Sequence, residues 1–393
     1  MFEKNKSIRP LPFYTYYSGV VALNCIGILI SIYLSVSHYL VHTDIGYHSF
    51  CALTKSINCD TVSQSPYSIF WNLPVAVWGV VGYSFFLILT LFSAFQSGRR
   101  RRVWGLCFVV ALLFSIASLV FASVSALYIG SYCILCIVTY AVNLMLLYLT
   151  WIIRRRFNAD KLSRDLNADL RFLWEKRRAS LPAFGLFGAA LVLTQVFFPA
   201  YWQLPMPAAP MKARSGLTEE GHPWIGAEQP MLEIVEFADY QCFQCKKMHQ
   251  YLRGLVSRYP NKIRLVHRSF PMDHDFNFIV PDPFHVGSGK LSLLSIFAAA
   301  RGKFWEMNDL LYAISRTEGA TNLKELGAGT GLEPRDLAAA LKDPVIRKRL
   351  EIDIRQGLKL GILGTPSYLI NGSVYQGFVP PEFISAVINA ERS

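Results

Sequence analysis

The chain has 393 residues, 52% of them hydrophobic and 17% charged, with a net charge of +12. That balance is too apolar for a single soluble domain and too charged for a purely intramembrane one, so a composite protein is expected. Nucleic acid is not expected as a partner: the Lys and Arg residues of the first half gather at the ends of apolar runs, where membrane topology accounts for them.

Five stretches are long enough to span a hydrocarbon layer of ~30 Å, which takes about 20 helical residues. They cover residues 16–36, 69–95, 103–127, 131–153 and 181–202. The first is too long, and lacks a small-residue cleavage site, to be a removed signal peptide, so it counts as an anchor. Residues 103–153 hold no Asp, Glu, Lys or Arg. As one helix they would reach roughly 76 Å at about 1.5 Å per residue, so the run must fold back, with ALYIGS at 126–131 as the turn.

Charge orients these spans. Lys4, Lys6 and Arg9 precede the first, arginines 99–102 separate the second from the third, Arg154, Arg155 and Arg156 follow the fourth, and Lys176, Arg177 and Arg178 precede the fifth. With five crossings all four clusters fall on one side, which the positive-inside rule makes cytoplasmic. The loop over 43–68, the 126–131 turn and everything after about residue 203 then lie outside. The polar stretch 157–178 reads as an amphipathic helix on the cytoplasmic membrane surface and is assigned no chemistry. The expected organisation is a membrane domain at 1–153, an amphipathic segment and fifth span at 154–202, a Pro-rich connector at 203–229 and a soluble α/β domain at 230–393.

There are eight cysteines. Cys25 and Cys107 lie within apolar spans, where a thiol behaves as a small hydrophobe. The other six form close pairs, Cys51/Cys59, Cys133/Cys136 and Cys242/Cys245, and the charge-based topology puts all three pairs at the external face. Outside the cytosol, C-x-x-C is better read as a dithiol couple than as half of a zinc site, so no metal is expected. Cys133 and Cys136 share one face of the fourth span, and Tyr140 and Asn143 continue that stripe. Polar groups pointing one way from an apolar helix mark either a pocket or interhelical hydrogen bonding. A membrane quinone is the lipid-soluble two-electron acceptor that would suit a dithiol there.

In the second half, MLEIVEFADY reads as a buried strand and QCFQCKKMHQYLRGLVSRY as the helix it feeds. Cys242 and Cys245 therefore sit where free backbone N–H groups and the helix dipole stabilise a thiolate. Cys242 should be the exposed attacking sulfur and Cys245 the covered, resolving one. His249, His267, His274 and His285 are read as surface or packing residues.

HPWIGAEQPMLEIVEFADYQCFQC, GKFWEMNDLLY and GTPSYLINGSVYQG together resemble the DsbA-like thiol oxidoreductases of thioredoxin fold, over about 222–390. The resemblance implies a cis Pro366 opposite Cys242 and a helical insertion between them. Strongly oxidising members carry a histidine before the second cysteine, where this chain has Gln244. Over about 14–152 the chain resembles the vitamin K epoxide reductase family: Cys51, then Cys59 after seven intervening residues, Ser65, then Cys133-Ile134-Leu135-Cys136 and Tyr140. That implies a four-helix bundle around a quinone, ubiquinone or menaquinone, with Cys136 nearest the ring and Cys51/Cys59 as shuttle. It also implies Ser65 near the site, Tyr140 against the ring and, more weakly, Asn72 as a quinone hydrogen-bonding group. A fifth span leading to a thioredoxin-like domain is the pattern of the bacterial fusions in this family.

The expected function is a disulfide-generating thiol:quinone oxidoreductase of the bacterial cytoplasmic membrane, N-terminus inside and C-terminal domain outside. Reduced exported proteins would pass electrons to Cys242/Cys245, then Cys51/Cys59, then Cys133/Cys136, then quinone. The same parts could run as a reductive or isomerising system, or reduce a quinone epoxide. A membrane-anchored chaperone with purely structural cysteines is the rival from another class.

Overall fold

The computed structural model describes residues 11–53, 56–94, 101–157, 161–203, 213–314 and 322–389. Lys4, Lys6, Arg9, Arg99, Arg100 and residues 204–212 of the expected connector lie outside the described residues. The chain divides into two compact units, 1–203 and 204–393.

In the first unit, α1 (Phe13–Thr43) leads through a loop to the short α2 (Cys59–Gln64) and a two-stranded hairpin, β1 (Ile69–Phe70) and β2 (Leu73–Pro74). Then come α3 (Val75–Ala94), α4 (Trp104–Val124), α5 (Ile134–Phe157), α6 (Leu162–Glu175) and α7 (Arg177–Phe197). Helices α1, α3, α5 and α7 are long and apolar enough to cross a membrane, as is α4 with the wide turn that extends it to Ile129. The uncharged run folds back as expected, at Gly130, whose φ of 66° is the left-handed conformation glycine adopts without a Cβ penalty.

Close helix approach fixes the bundle. A Cβ on Gly27 would lie 2.6 Å from the Tyr83 ring, and one on Gly79 would lie 2.5 Å from Ser31 Oγ. Glycine at these positions lets a side chain of one helix seat against the backbone of the other, so that α1 and α3 approach closely, which is how apolar helices associate where lipid removes the hydrophobic drive. At one end of the bundle, Asp169 of α6 accepts N–H groups from Val103 (2.8 Å), Gly105 (2.8 Å) and Leu106 (3.2 Å), capping α4 from outside. Arg154 pairs with the buried Asp165 at 2.9 Å. The expected amphipathic segment is thus a docked helix that caps its neighbour.

At the other end, the loop after α1 meets the α4–α5 turn. Asn58 N–H donates to Tyr132 O (2.9 Å) and Tyr132 N–H to Ser56 O (2.8 Å). Tyr201, just beyond α7, places its hydroxyl 2.8 Å from His38 Nδ1 of α1. The loop, the turn and the exit of α7 therefore share one end, as five alternating crossings require.

The second unit is built on a six-stranded sheet in the order β3-β4-β6-β5-β7-β8. These are β3 (Arg214–Leu217), β4 (Pro223–Gly226), β5 (Leu232–Ala238), β6 (Ile263–Ser269), β7 (Ser367–Ile370) and β8 (Ser373–Gln376), with α8 (Phe243–Arg258) between β5 and β6. The pair β5–β6 is parallel and β5–β7 antiparallel. Between β6 and β7 run α9 (Ser288–Ala299), α10 (Phe304–Ile314), α11 (Leu323–Thr330), α12 (Pro334–Ala340) and α13 (Pro344–Lys359); α14 (Pro381–Asn389) closes the chain's described part. This is a thioredoxin-like α/β domain with a helical insertion. The boundary at 230 needs correction, because two strands of the sheet lie inside the stretch read as connector. Four-residue strands, β4 starting at Pro223 and the edge strand β3 largely exposed, carry too little alternation to be legible.

Candidate active sites

Cys242 is the N-cap of α8, with extended backbone (φ −73°, ψ 117°), and its sulfur accepts the Cys245 N–H at 3.3 Å. Its Sγ also lies 3.5 Å from the Thr365 carbonyl oxygen, and the Thr365–Pro366 peptide bond is cis. The hydrogen bond from the Cys245 thiol, supported by the positive field of His285, holds the Cys242 thiol below its usual range. Burial and the neighbouring Cys242 push Cys245 far above it. One sulfur is thus prepared as thiolate and the other as a protonated partner, which is what stepwise thiol–disulfide exchange needs. Cys242 is only 8% accessible and Cys245 1%. The expected order of exposure is present, but Cys242 is more covered than a bare strand-to-helix turn suggests, because the loop carrying Pro366 closes over it.

Of the histidines read as surface or packing residues, two pack in the interior against one carboxylate. His249 and His267 are fully buried, and both place Nδ1 2.9 Å from Glu236 Oε1 on β5. Burial alone would raise the Glu236 carboxyl, yet His249 and His267 hold it at about 2. His285 Nδ1 lies 3.1 Å from Asp239 Oδ2. No local pattern marks these pairs, since their members come from separate elements.

In the first unit, Cys51 and Cys59 form a disulfide and are buried against Cys133, with Cys136 and Leu34 at the edge of the cluster. Cys133 precedes α5 as Cys242 precedes α8, and its sulfur accepts the Cys136 N–H at 3.3 Å. Cys59, Cys133 and Cys136 open onto a cavity of about 530 Å³ between the helices, which Ser65, Tyr140 and His38 also line. Ser65 Oγ donates to Val62 O at 2.8 Å. Asn143 is held between helices: it accepts from Tyr83 OH (2.6 Å) and donates to Ser118 Oγ (2.9 Å). Both readings of the Tyr140–Asn143 stripe therefore have a counterpart, a cavity wall and an interhelical bond.

Asn72 is not brought to this site. With Trp71 it forms the turn of the β1–β2 hairpin, at φ 57° and 49°, exposed and not among the residues that line the cavity. Two successive left-handed residues are what a tight hairpin turn demands, and Asn tolerates that conformation. His38 is the lining residue that sequence reading did not select. It is buried on α1, one turn beyond Leu34, with Nε2 3.2 Å from Ser68 Oγ. The periodic Ser31, Leu34, His38 stripe was the available signal.

Two dithiol couples at helix starts and a loop disulfide beside one of them define the thiol–disulfide oxidoreductase class. Comparison with known proteins agrees: residues 19–151 match the Vitamin K epoxide reductase family and residues 218–390 match Thioredoxin. The chain thus carries a vitamin K epoxide reductase family domain followed by a thioredoxin-like domain. Among solved structures it is similar to a thioredoxin-like oxidoreductase from Silicibacter pomeroyi DSS-3, at 24% identity over 44% of this chain and 92% of that one, TM-score 0.34. Similar too is alpha-DsbA1 of Wolbachia pipientis, at 17% identity over 44% and 92%, TM-score 0.37. A curated relative is the Na(+)/H(+) antiporter NhaA of Herminiimonas arsenicoxydans, 24% identical over 168 residues, which are 42% of this chain and 25% of that protein. The chain thus spans a quarter of that relative's length.

Proposed function

We propose that the chain is a membrane thiol:quinone oxidoreductase that forms disulfides in exported proteins. Substrate dithiols are oxidised by a Cys242–Cys245 disulfide; the resulting dithiol attacks Cys51–Cys59; Cys59 exchanges with Cys133; and Cys133/Cys136, on closing to a disulfide, release two electrons and two protons to a quinone. Each exchange breaks one S–S bond and makes another, so electrons balance throughout. The quinone supplies the final two-electron acceptor. Ser65 and Tyr140 border its place and Cys136 faces it, while the cis Pro366 loop aligns substrate peptide against Cys242.

The observation that carries this reading is the Cys51–Cys59 disulfide packed against Cys133 at the mouth of a mostly apolar cavity. A cavity of this volume suits a ring-sized apolar ligand with a few polar contacts. We place this end of the bundle, with the thioredoxin-like domain, outside the bacterial cytoplasmic membrane, because the arginine clusters gather at the other end. The test is Cys136→Ala in cells: Cys242–Cys245 should accumulate in the reduced form, and finding it oxidised with no other oxidase present would refute the relay.

A further inference from the structure

The loop that leads into α9 is tied to the active-site turn at several points. Ser288 Oγ donates to Asp239 Oδ2 at 2.8 Å, and Gln241 Nε2 donates to Val286 O at 2.9 Å. Asp273 Oδ2 accepts the N–H groups of Gly287 (2.9 Å) and Gly289 (3.1 Å). Between these ties stands His285, its Nδ1 3.1 Å from Asp239 Oδ2 and its ring stacked on Phe284 with centroids 4.1 Å apart. Its backbone is left-handed at φ 43°, a conformation that only a few non-glycine residues, His and Asn among them, adopt readily. Asp239 is fully buried and its carbonyl accepts the Cys242 N–H at 3.2 Å.

We propose that His285 is the cation that stabilises the Cys242 thiolate, supplied by the loop before α9 instead of by a residue between the two cysteines. Phe243 and Gln244 carry no charge, so within the turn only the helix start and the Cys245 side favour the anion. The charged groups facing His285 are Asp239, at the end of β5; Asp273, after β6; and Cys242, at the start of α8. Burial pulls His285 down, but the Asp239 carboxylate more than offsets it and keeps the imidazole protonated above its ordinary range. Asp239 on its own disfavours a second anion at Cys242. His285 therefore acts twice, by attracting the thiolate and by neutralising the carboxylate beside it. A stabilised thiolate is a better leaving group and favours the reduced form, so His285 makes the couple a stronger oxidant.

This inference rests on the reading of Cys242–Cys245 as a redox couple. It is tested on the full-length protein in detergent by two readouts: the pH midpoint of Cys242 alkylation, followed by mass spectrometry of its peptide, and the equilibrium of Cys242–Cys245 in glutathione buffers. His285→Asn removes the charge and tolerates the left-handed backbone, with His285→Gln as a second neutral variant. The alkylation midpoint should rise by about one pH unit. The constant for oxidising glutathione should fall about tenfold, equivalent to ~30 mV. His285→Lys, which returns a positive charge, should move both back toward the parent. Folded neutral variants with parental midpoint and constant would overturn the inference, as would a shift that His285→Lys leaves uncorrected, since shape would then be responsible. A parent couple that does not exchange with glutathione at all would overturn the redox reading along with it.

Discussion

The two C-x-x-C pairs begin the same way and are surrounded differently. In each, the first cysteine caps a helix and its sulfur accepts the second cysteine's N–H at 3.3 Å. Around Cys242 the nearby polar groups are ionic: Glu236 with two histidines, Asp239 with His285. Around Cys133 and Cys136 they are mainly hydroxyls, an amide and an imidazole, from Ser65, Ser118, Tyr140, Asn143 and His38, with the buried Asp60 as the carboxylate acting on Cys133. The difference follows from solvent. A charge in hydrocarbon costs several kcal/mol more than a neutral dipole, so a site facing lipid tunes its thiols with geometry and neutral donors, whereas a water-facing domain can bury paired charges.

The largest effect is expected where the two environments meet. Cys51→Ala should stop turnover altogether, leaving Cys242–Cys245 reduced while Cys133–Cys136 stays oxidised by quinone. Cys136→Ala should instead leave every couple upstream of it reduced. Trapping free thiols in cells by mass-tagged alkylation separates the two patterns. Identical patterns for both variants would mean that the loop disulfide does not stand between the C-x-x-C pairs.

Next comes the ionic side of the comparison. Glu236→Gln removes the negative charge that the Nδ1 atoms of His249 and His267 share. Breaking a buried charged pair costs about 3 to 5 kcal/mol, so thermal unfolding of the thioredoxin-like domain should move down by many degrees. The pH signature has a definite sign. Glu236, lowered from 4.5 to about 2, contributes stability that is present above about 4.5 and lost as pH falls through about 2. His249, raised above 6.5 by Glu236 despite burial, contributes stability that is full below 6.5 and lost as pH rises through its elevated value. The variant should lose both contributions, and the pH dependence of its unfolding midpoint should flatten. A midpoint within a degree or two of the parent would show that these groups are not a coupled charge cluster.

What sequence could convey follows the same division. The C-x-x-C positions, the fold-back of the uncharged run and the strand-to-helix turn at Cys242 are set by local spacing and hydrophobic period, which a sequence displays directly. His285 is 43 residues beyond Cys242, and the ties from Asp239, Gln241 and Asp273 bring it back. The partners of Asn143 lie on two other helices, so its stripe indicated polarity but not which groups satisfied it. Asn72 misled because an amide beside an apolar span looks like a ligand-binding group, while the hairpin needed it for its turn. The strands at 214–217 and 223–226 were hidden by their brevity.

The smallest effect belongs to the neutral side and sharpens the comparison most. Asn143→Leu deletes the bonds to Tyr83 and Ser118 that join α3, α4 and α5. Interhelical hydrogen bonds in bilayers average only about 0.6 kcal/mol, because the separated helices find other partners. Losing the pair should therefore cost about 1 kcal/mol, several-fold less than Glu236→Gln, although both residues are doubly bonded. The cavity wall does change, since Asn143 borders it beside Tyr140. The expected result is a nearly unchanged unfolding midpoint in detergent together with altered quinone reduction by the purified protein. A destabilisation as large as that of Glu236→Gln would mean that the membrane half depends on its polar groups as the soluble half does, and the solvent-based distinction between the two dithiol sites would fail.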